Sequence, residues 1–70
     1  MTALKMFEVL VKTLEDNGKP FRVYPKQNGT EVFFNEVSRF SLRNGRLYVL
    51  DNPVKDDDDF NEFKNMLNKI

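Results

Sequence analysis

The order of apolar and polar side chains predicts a helix at the start of the chain. From residue 3 to residue 14 apolar side chains recur every three or four positions, and charged side chains occupy the opposite side. Thr2 is a favourable N-cap residue, and Asn17-Gly18 is a typical helix stop. We therefore predict an amphipathic helix over residues 2–17.

From residue 21 to residue 50 the repeat changes to two residues, which is typical of strands with one buried face. Two Asn-Gly pairs, which begin at Asn28 and Asn44, interrupt the apolar runs, and this dipeptide favours a two-residue hairpin loop. A three-residue loop over residues 35–37 joins the two hairpins. The pattern predicts a four-stranded antiparallel meander.

These loop lengths determine which residues face each other on neighbouring strands. The loop at Asn28 aligns the first pair of strands, the loop at Asn44 aligns the last pair, and the three-residue loop aligns the middle pair. The predicted partners are Val23 and Phe34, Tyr24 and Phe33, Lys26 and Glu31, Val32 and Phe40, Phe33 and Arg39, Leu42 and Leu47, and Phe40 and Val49.

In this register the sheet has two chemically different faces. One face is apolar and is predicted to cover the core: Phe21, Val23, Val32, Phe34, Phe40, Leu42, Leu47 and Val49. The other face, called the open face below, carries mainly cationic and aromatic side chains. Its predicted members are Arg22, Tyr24, Lys26, Phe33, Arg39, Ser41, Arg43, Arg46, Tyr48 and Leu50.

The helical repeat returns near the C-terminus, where Phe60, Phe63 and Leu67 fall on one side of a predicted helix over residues 57–69. The order helix, four-stranded antiparallel meander, helix predicts an α+β fold. We expect a two-layer sandwich with both helices on one face of the sheet. Seventy residues suffice for one small domain, so residues 1–70 are predicted to form a single domain.

The composition argues against several classes of function. The chain has no cysteine and no histidine, which removes disulfides, most transition-metal sites and the usual proton-transfer side chain. No nucleophile lies beside a base, and no glycine-rich phosphate loop is present. We predict a protein without enzymatic activity, metal or cofactor.

No apolar run has the length of a signal peptide or membrane span, which favours a cytoplasmic protein without a membrane partner.

The net charge of zero conceals an asymmetry. Residues 21–50 carry five basic and two acidic side chains, whereas residues 51–70 carry three basic and six acidic ones.

Amino acids with AT-rich codons are abundant, with seven phenylalanines against the single alanine Ala3. This composition suggests an AT-rich genome and the hypothesis of a phage or mobile-element protein.

An acidic run precedes the second helix. Together with Glu62 it is called the acidic patch below: Asp56, Asp57, Asp58, Asp59 and Glu62. Residues 51–62 span the length of an EF-hand loop, but Pro53 and Lys55 replace ligands, and Asp56 stands where glycine is needed. Capping of the helix is the favoured interpretation. The same carboxylates are also a candidate contact for a basic partner surface.

The open face contains the principal candidate site, which consists of Arg22, Tyr24, Phe33, Arg39, Arg43, Arg46 and Tyr48. Arginine and aromatic side chains are enriched in protein interfaces, and two such faces could also pair in a homodimer. Alternatively, the rings stack on bases and the guanidinium groups bind phosphates of a single-stranded nucleic acid. A third interpretation is that these side chains only cover the sheet, with Arg39 stacked on Phe33.

These features predict a small non-enzymatic binding module that occupies a surface of another protein. A phage or mobile-element protein that inhibits or modulates a host target is the specific form of this hypothesis. The alternative is a regulator that binds nucleic acid through the basic, aromatic open face.

Overall fold

The computed structural model describes the whole chain, residues 1–70, and contains two helices and five strands. In chain order the elements are α1 (Ala3–Asp16), β1 (Arg22–Lys26), β2 (Gly29–Phe33), β3 (Arg39–Arg43), β4 (Arg46–Val49), β5 (Asn52–Pro53) and α2 (Asp57–Lys69). The strands form one antiparallel sheet in the order β1-β2-β3-β4-β5. The predicted α+β architecture is confirmed, and the meander continues for one short strand beyond the predicted four.

The ends of α1 are formed by the residues that the sequence indicated. The Thr2 hydroxyl accepts a hydrogen bond of 3.2 Å from the backbone N–H of Lys5. At the other end Gly18 has a positive φ of 64°, and the N–H of Lys19 donates to the carbonyl of Leu14 over 2.9 Å. This arrangement is a Schellman cap, which satisfies the last carbonyl groups of the helix.

The two helices lie side by side on one face of the sheet. At the end of α1 the Asn17 side-chain amide donates a hydrogen bond of 2.8 Å to Asn68 Oδ1, near the end of α2. At the opposite ends, Ala3 and Lys55 line the same surface depression. The helices therefore run in the same direction, and the sheet carries the chain from one to the other. Neither helix is long and apolar enough to cross a membrane.

The core is a cluster of ten buried side chains between the helices and the sheet. The ring of Phe40 is fully buried, and its centroid lies 5.6 Å from Phe7, 6.0 Å from Phe34 and 5.9 Å from Phe63. Phe40 on β3 therefore contacts α1, the end of β2 and α2 at once. The ten residues are Met6, Leu10, Leu14, Val32, Phe34, Phe40, Leu47, Phe60, Phe63 and Leu67.

The register of the first hairpin differs from the prediction. Val23 pairs with Val32, and the loop between β1 and β2 consists of Gln27 and Asn28. A shift of two residues keeps every side chain on its predicted face, because side chains alternate with a period of two. The predicted pairs in the other strands are all observed. Those of the first hairpin are wrong, namely Val23 with Phe34, Tyr24 with Phe33, and Lys26 with Glu31.

The shift arises because Gly29 is needed inside the sheet rather than in the loop. A Cβ atom at Gly29 would lie 1.8 Å from the carbonyl oxygen of Leu42 on β3. Only glycine permits this approach of two backbones. By contrast, Asn44 and Gly45 form the predicted loop, with the positive φ values of 51° and 77° that a tight hairpin turn requires.

β1 contributes less to the core than predicted. All five residues of β1 are exposed, and Val23 retains 50% of its accessible surface. Neither Val23 nor the half-buried Leu42 belongs to the core cluster. Because α1 lies over β3 and β4, β1 is left at an uncovered edge of the sheet. Of the predicted core face, the buried residues are Val32, Phe34, Phe40 and Leu47, with Phe21 and Val49 packed at the margin.

A turn at Leu50 and Asp51 produces the fifth strand. Both residues have positive φ, 50° and 68°, and Asn52 then pairs with Val49. The prediction that Leu50 extends a strand on the open face is therefore wrong. The left-handed conformation disfavours leucine by about 1–2 kcal/mol, whereas aspartate tolerates it, and the Asn-Gly pair usual in such a turn is absent here. Asp51, Asn52 and Pro53 are typical turn residues, but Leu50 at the first position does not indicate a two-residue hairpin loop.

We expect Gly29→Ala to destabilise the fold by about 3 kcal/mol, because the added methyl group would push β2 and β3 apart. Gly45→Ala is the matched control, since nothing lies within 4 Å of its Cβ position. Only its positive φ opposes that change, and we expect a loss of about 1 kcal/mol. Urea-induced unfolding of both variants measures the difference. Equal losses would contradict the position of Gly29 inside the sheet.

Candidate functional site

The seven residues of the predicted open-face site lie on the side of the sheet opposite the helices. Strand pairing places Phe33 between Arg22 and Arg39, and it places Tyr48 beside Ser41. The structure thus brings the predicted cations and rings together on one surface. It also brings two carboxylates to this surface that the sequence prediction did not assign to it.

Glu31 is the first of these carboxylates and lies in the middle of the open face, opposite Tyr24. Its Oε2 atom lies 3.1 Å from Arg39 Nε, and its Oε1 atom lies 3.7 Å from Lys26 Nζ. The side chains of Glu31 and Arg39 are 20% and 27% exposed. Partial shielding from solvent makes this ion pair stronger than a fully exposed one.

Asp51 is the second carboxylate and joins two arginines of β3. One of its carboxylate oxygens accepts a hydrogen bond from Arg39 Nη2, and the other lies 3.6 Å from Arg43 Nη2. The backbone N–H of Leu50 donates to the carbonyl of Arg39 over 3.0 Å, which holds the turn beside β3. The unpredicted turn therefore positions the carboxylate that forms ion pairs with both guanidinium groups.

Two of the three rings of the open face contact a guanidinium group, and the third contacts another ring. The Arg39 guanidinium carbon lies 5.9 Å from the centre of the Phe33 ring, and Tyr24 meets the same ring edge-on at 5.5 Å between centroids. The Arg43 guanidinium carbon lies 4.2 Å from the centre of the Tyr48 ring. The predicted stacking of Arg39 on Phe33 is confirmed, and Arg43 with Tyr48 forms a second cation–π pair.

These side chains form a closed layer over the centre of the sheet. Ser41 belongs to the open face, yet only 3% of its surface is exposed. Its cross-strand neighbours are Glu31 and Tyr48. Because both helices lie on the other side, only side chains of the open face can bury it. The layer is tight enough that Arg43 Nε is buried without a hydrogen-bond partner.

The margin of the open face has a different character from its centre. Arg22 and Arg46 are exposed, and neither lies within 4.0 Å of a carboxylate oxygen. The face carries five cations against the carboxylates of Glu31 and Asp51 and, at its edge beside Arg22, that of Glu36, so it keeps a positive charge. It therefore combines a fixed, largely neutralised centre with free cations at its edges.

The acidic patch surrounds the start of α2. Asp56 is the N-cap, and its Oδ1 accepts a hydrogen bond of 2.9 Å from the N–H of Asp59. Asp59 Oδ2 accepts in turn from the N–H of Lys55 over 3.2 Å. Asp57 and Asp58 occupy the first turn, where the helix dipole favours anions. The capping interpretation is confirmed. No group of three or more acidic side chains is placed to hold a metal ion.

The charge of the acidic patch is not balanced by neighbouring cations. No lysine or arginine nitrogen lies within 4.0 Å of any of its five carboxylates, since every ion pair of the molecule involves other residues. The patch therefore presents a negative surface in addition to its capping role.

Similarity to known proteins does not indicate which of these surfaces is functional. Comparison of the chain with protein-family models, curated proteins and solved structures found no match. The chemistry of the open face and of the acidic patch is therefore the basis for inferring a function.

Sequence reasoning missed Glu31 and Asp51 as partners of the arginines. Glu31 lies two positions before Phe33 on β2, so strand alternation alone places both on the open face. Asp51 gives no comparable signal. Its position depends on the turn at Leu50, which lacks the residues that usually mark a hairpin.

We expect Arg39→Ala to lower the free energy of unfolding by about 1–2 kcal/mol, because it leaves Glu31 and Asp51 without their shared cation and uncovers Phe33. Arg46→Ala is the matched control, since it removes an exposed, unpaired arginine, and it should change stability by less than about 0.5 kcal/mol. Guanidinium-induced unfolding provides the measurement. Equally small effects would contradict a fixed layer on the open face.

Proposed function

We propose that the protein is a small binding module without enzymatic activity, and that its open face packs against a surface of another protein. The observation that carries the proposal is the closed layer over Ser41, in which carboxylates and rings hold Arg39 and Arg43. Side chains ordered before association lose less conformational entropy when a partner binds.

The composition of the layer supports a protein partner. Phe33 and Tyr48 are half-buried and Tyr24 is exposed, so each ring still has apolar surface to offer. Rings beside guanidinium groups are the combination that recurs at interface hot spots. Arg22 and Arg46 at the margin suit the rim of an interface, where free cations accelerate association with an acidic surface.

Nucleic-acid binding is the second candidate function, and the excess of cations on the open face favours it. However, two of the three rings that would stack on bases already contact arginines, Phe33 with Arg39 and Tyr48 with Arg43. Asp51 and Glu31 also neutralise part of the charge that phosphates would meet. The geometry therefore supports a protein partner better than a single-stranded nucleic acid.

The mode of action that fits such a surface is steric and electrostatic. By covering part of its partner, the protein would block or alter another contact of that partner. Inhibition or modulation of a host protein by a phage or mobile-element protein is one form of this action. A second copy of the chain is an alternative occupant of the same face.

A photocrosslinking amino acid at Arg46 tests the proposal, because this exposed, unpaired position can be replaced without breaking the layer. Glu15, exposed on α1, is the matched position on the helix side of the molecule. After irradiation in cells, we expect the Arg46 variant to form covalent adducts with one or a few proteins. The Glu15 variant should not form these adducts.

Each other outcome has a definite meaning. Adducts between two copies of the chain at Arg46 would identify the partner as the homodimer. Adducts that nuclease digestion removes would replace the proposal with nucleic-acid binding. The same protein adducts from both positions would show that the open face is not the binding surface.

A further inference from the structure

A groove of about 390 Å³ runs along the β5 edge of the sheet, between the β4–β5 hairpin and α2. Val49, Val54 and Phe63 contribute apolar surface to it, and all three also pack in or against the core. The groove therefore has a rigid apolar lining that the fold itself supports. It is distinct from the cationic centre of the open face, with which it shares none of the seven site residues.

Two large apolar side chains at this groove remain in solvent. Leu50 on the hairpin is 47% exposed and Met66 on α2 is 42% exposed. Leu50 is also held at a φ of 50°, where a leucine is disfavoured and asparagine or glycine is usual. Its exposed side chain is not part of the core cluster, and its left-handed backbone, which forms the turn into β5, would be less strained with asparagine or glycine. Both features are consistent with a leucine kept for contact with a partner.

The charge around the groove is negative. Asp59 and Glu62 line it, and the rest of the acidic patch continues from them around the start of α2. Because these carboxylates have no lysine or arginine partner, their charge is available to a ligand. Carboxylates beside an apolar groove repel nucleic acid and acidic peptides, and they attract a cationic segment.

We propose that this groove binds a basic segment of a partner protein. One apolar side chain of the segment lies between Leu50 and Met66, and its lysine or arginine side chains face Glu62 and the acidic patch. This contact is separate from the open face, so the molecule has two binding surfaces of opposite charge.

Amide-resolved NMR titration tests the proposal with a short synthetic peptide that carries one leucine in the middle of a run of lysines. The matched peptide has serine in place of the leucine. We expect the leucine peptide to shift the amide signals of residues 49–54 and 59–66 in a saturable manner. The serine peptide should bind about tenfold more weakly, because it lacks the apolar contact.

Variants of the protein assign the two parts of the contact. Leu50→Asn should weaken binding of the leucine peptide about tenfold while raising the melting temperature, because asparagine tolerates the left-handed turn. Glu62→Gln should weaken both peptides about threefold, and Met66→Gln should weaken only the leucine peptide. Glu15→Gln, an exposed carboxylate on α1, is the matched control and should leave both affinities unchanged.

Equal affinity for the two peptides would overturn the proposal, because simple attraction to the acidic patch would then explain binding. It would also be overturned if neither peptide shifts the groove signals, or if Leu50→Asn binds the leucine peptide as tightly as the parent protein. Arg46 is not among the residues that line the groove, and the peptide titration does not involve the crosslinking variant, so failure of the groove and failure of the proposed function are distinguishable.

Discussion

The contacts of one ring, Phe40, determine how the rest of the molecule is arranged. The ring meets phenylalanines from α1, from the end of β2 and from α2, and it is fully buried among them. A chain of seventy residues has enough apolar surface for only one small core. Both helices must therefore pack on the side of the sheet that carries Phe40. The opposite side is left without a covering layer of secondary structure.

The same strand that carries Phe40 into the core also carries the centre of the open face. Because side chains alternate along β3, burial of Phe40 places Arg39, Ser41 and Arg43 on the open face. The position of the core ring therefore determines where both arginine side chains leave the strand. Glu31 and Asp51 then hold the ends of the arginine side chains. A sheet face that no helix covers is thereby closed by ion pairs and ring contacts, which bury Ser41 without any apolar layer above it.

The turn at Leu50 and Asp51 links the two candidate surfaces. Asp51 points to the arginines of the open face, whereas Leu50 lines the groove beside α2. One disfavoured backbone conformation therefore supplies a charge to one surface and an apolar side chain to the other. The proposed contact of the groove with a partner would account for a leucine at a position where the fold alone would favour asparagine or glycine.

Most of the fold could be predicted from local chemistry, because periodicity and caps act over a few residues. The limits of both helices, the turn at Asn44 and the separation of the two sheet faces all belong to this class. The register of the first hairpin could not be predicted in this way, since the approach of Gly29 to Leu42 is a contact between distant parts of the chain. The neutralised centre of the open face could not be predicted either, because it requires a two-residue hairpin loop that begins at Leu50, a residue untypical of such loops.

The central claim is that Arg39 and Arg43 are fixed before any partner binds, and NMR relaxation of the arginine Nε–H groups tests it most directly. We expect order parameters near the value of about 0.85 found for rigid backbone at Arg39 and Arg43. Arg22 and Arg46, which lack partners, should fall below about 0.6. Low values at all four arginines would contradict the claim and would leave the open face as a mobile cationic surface.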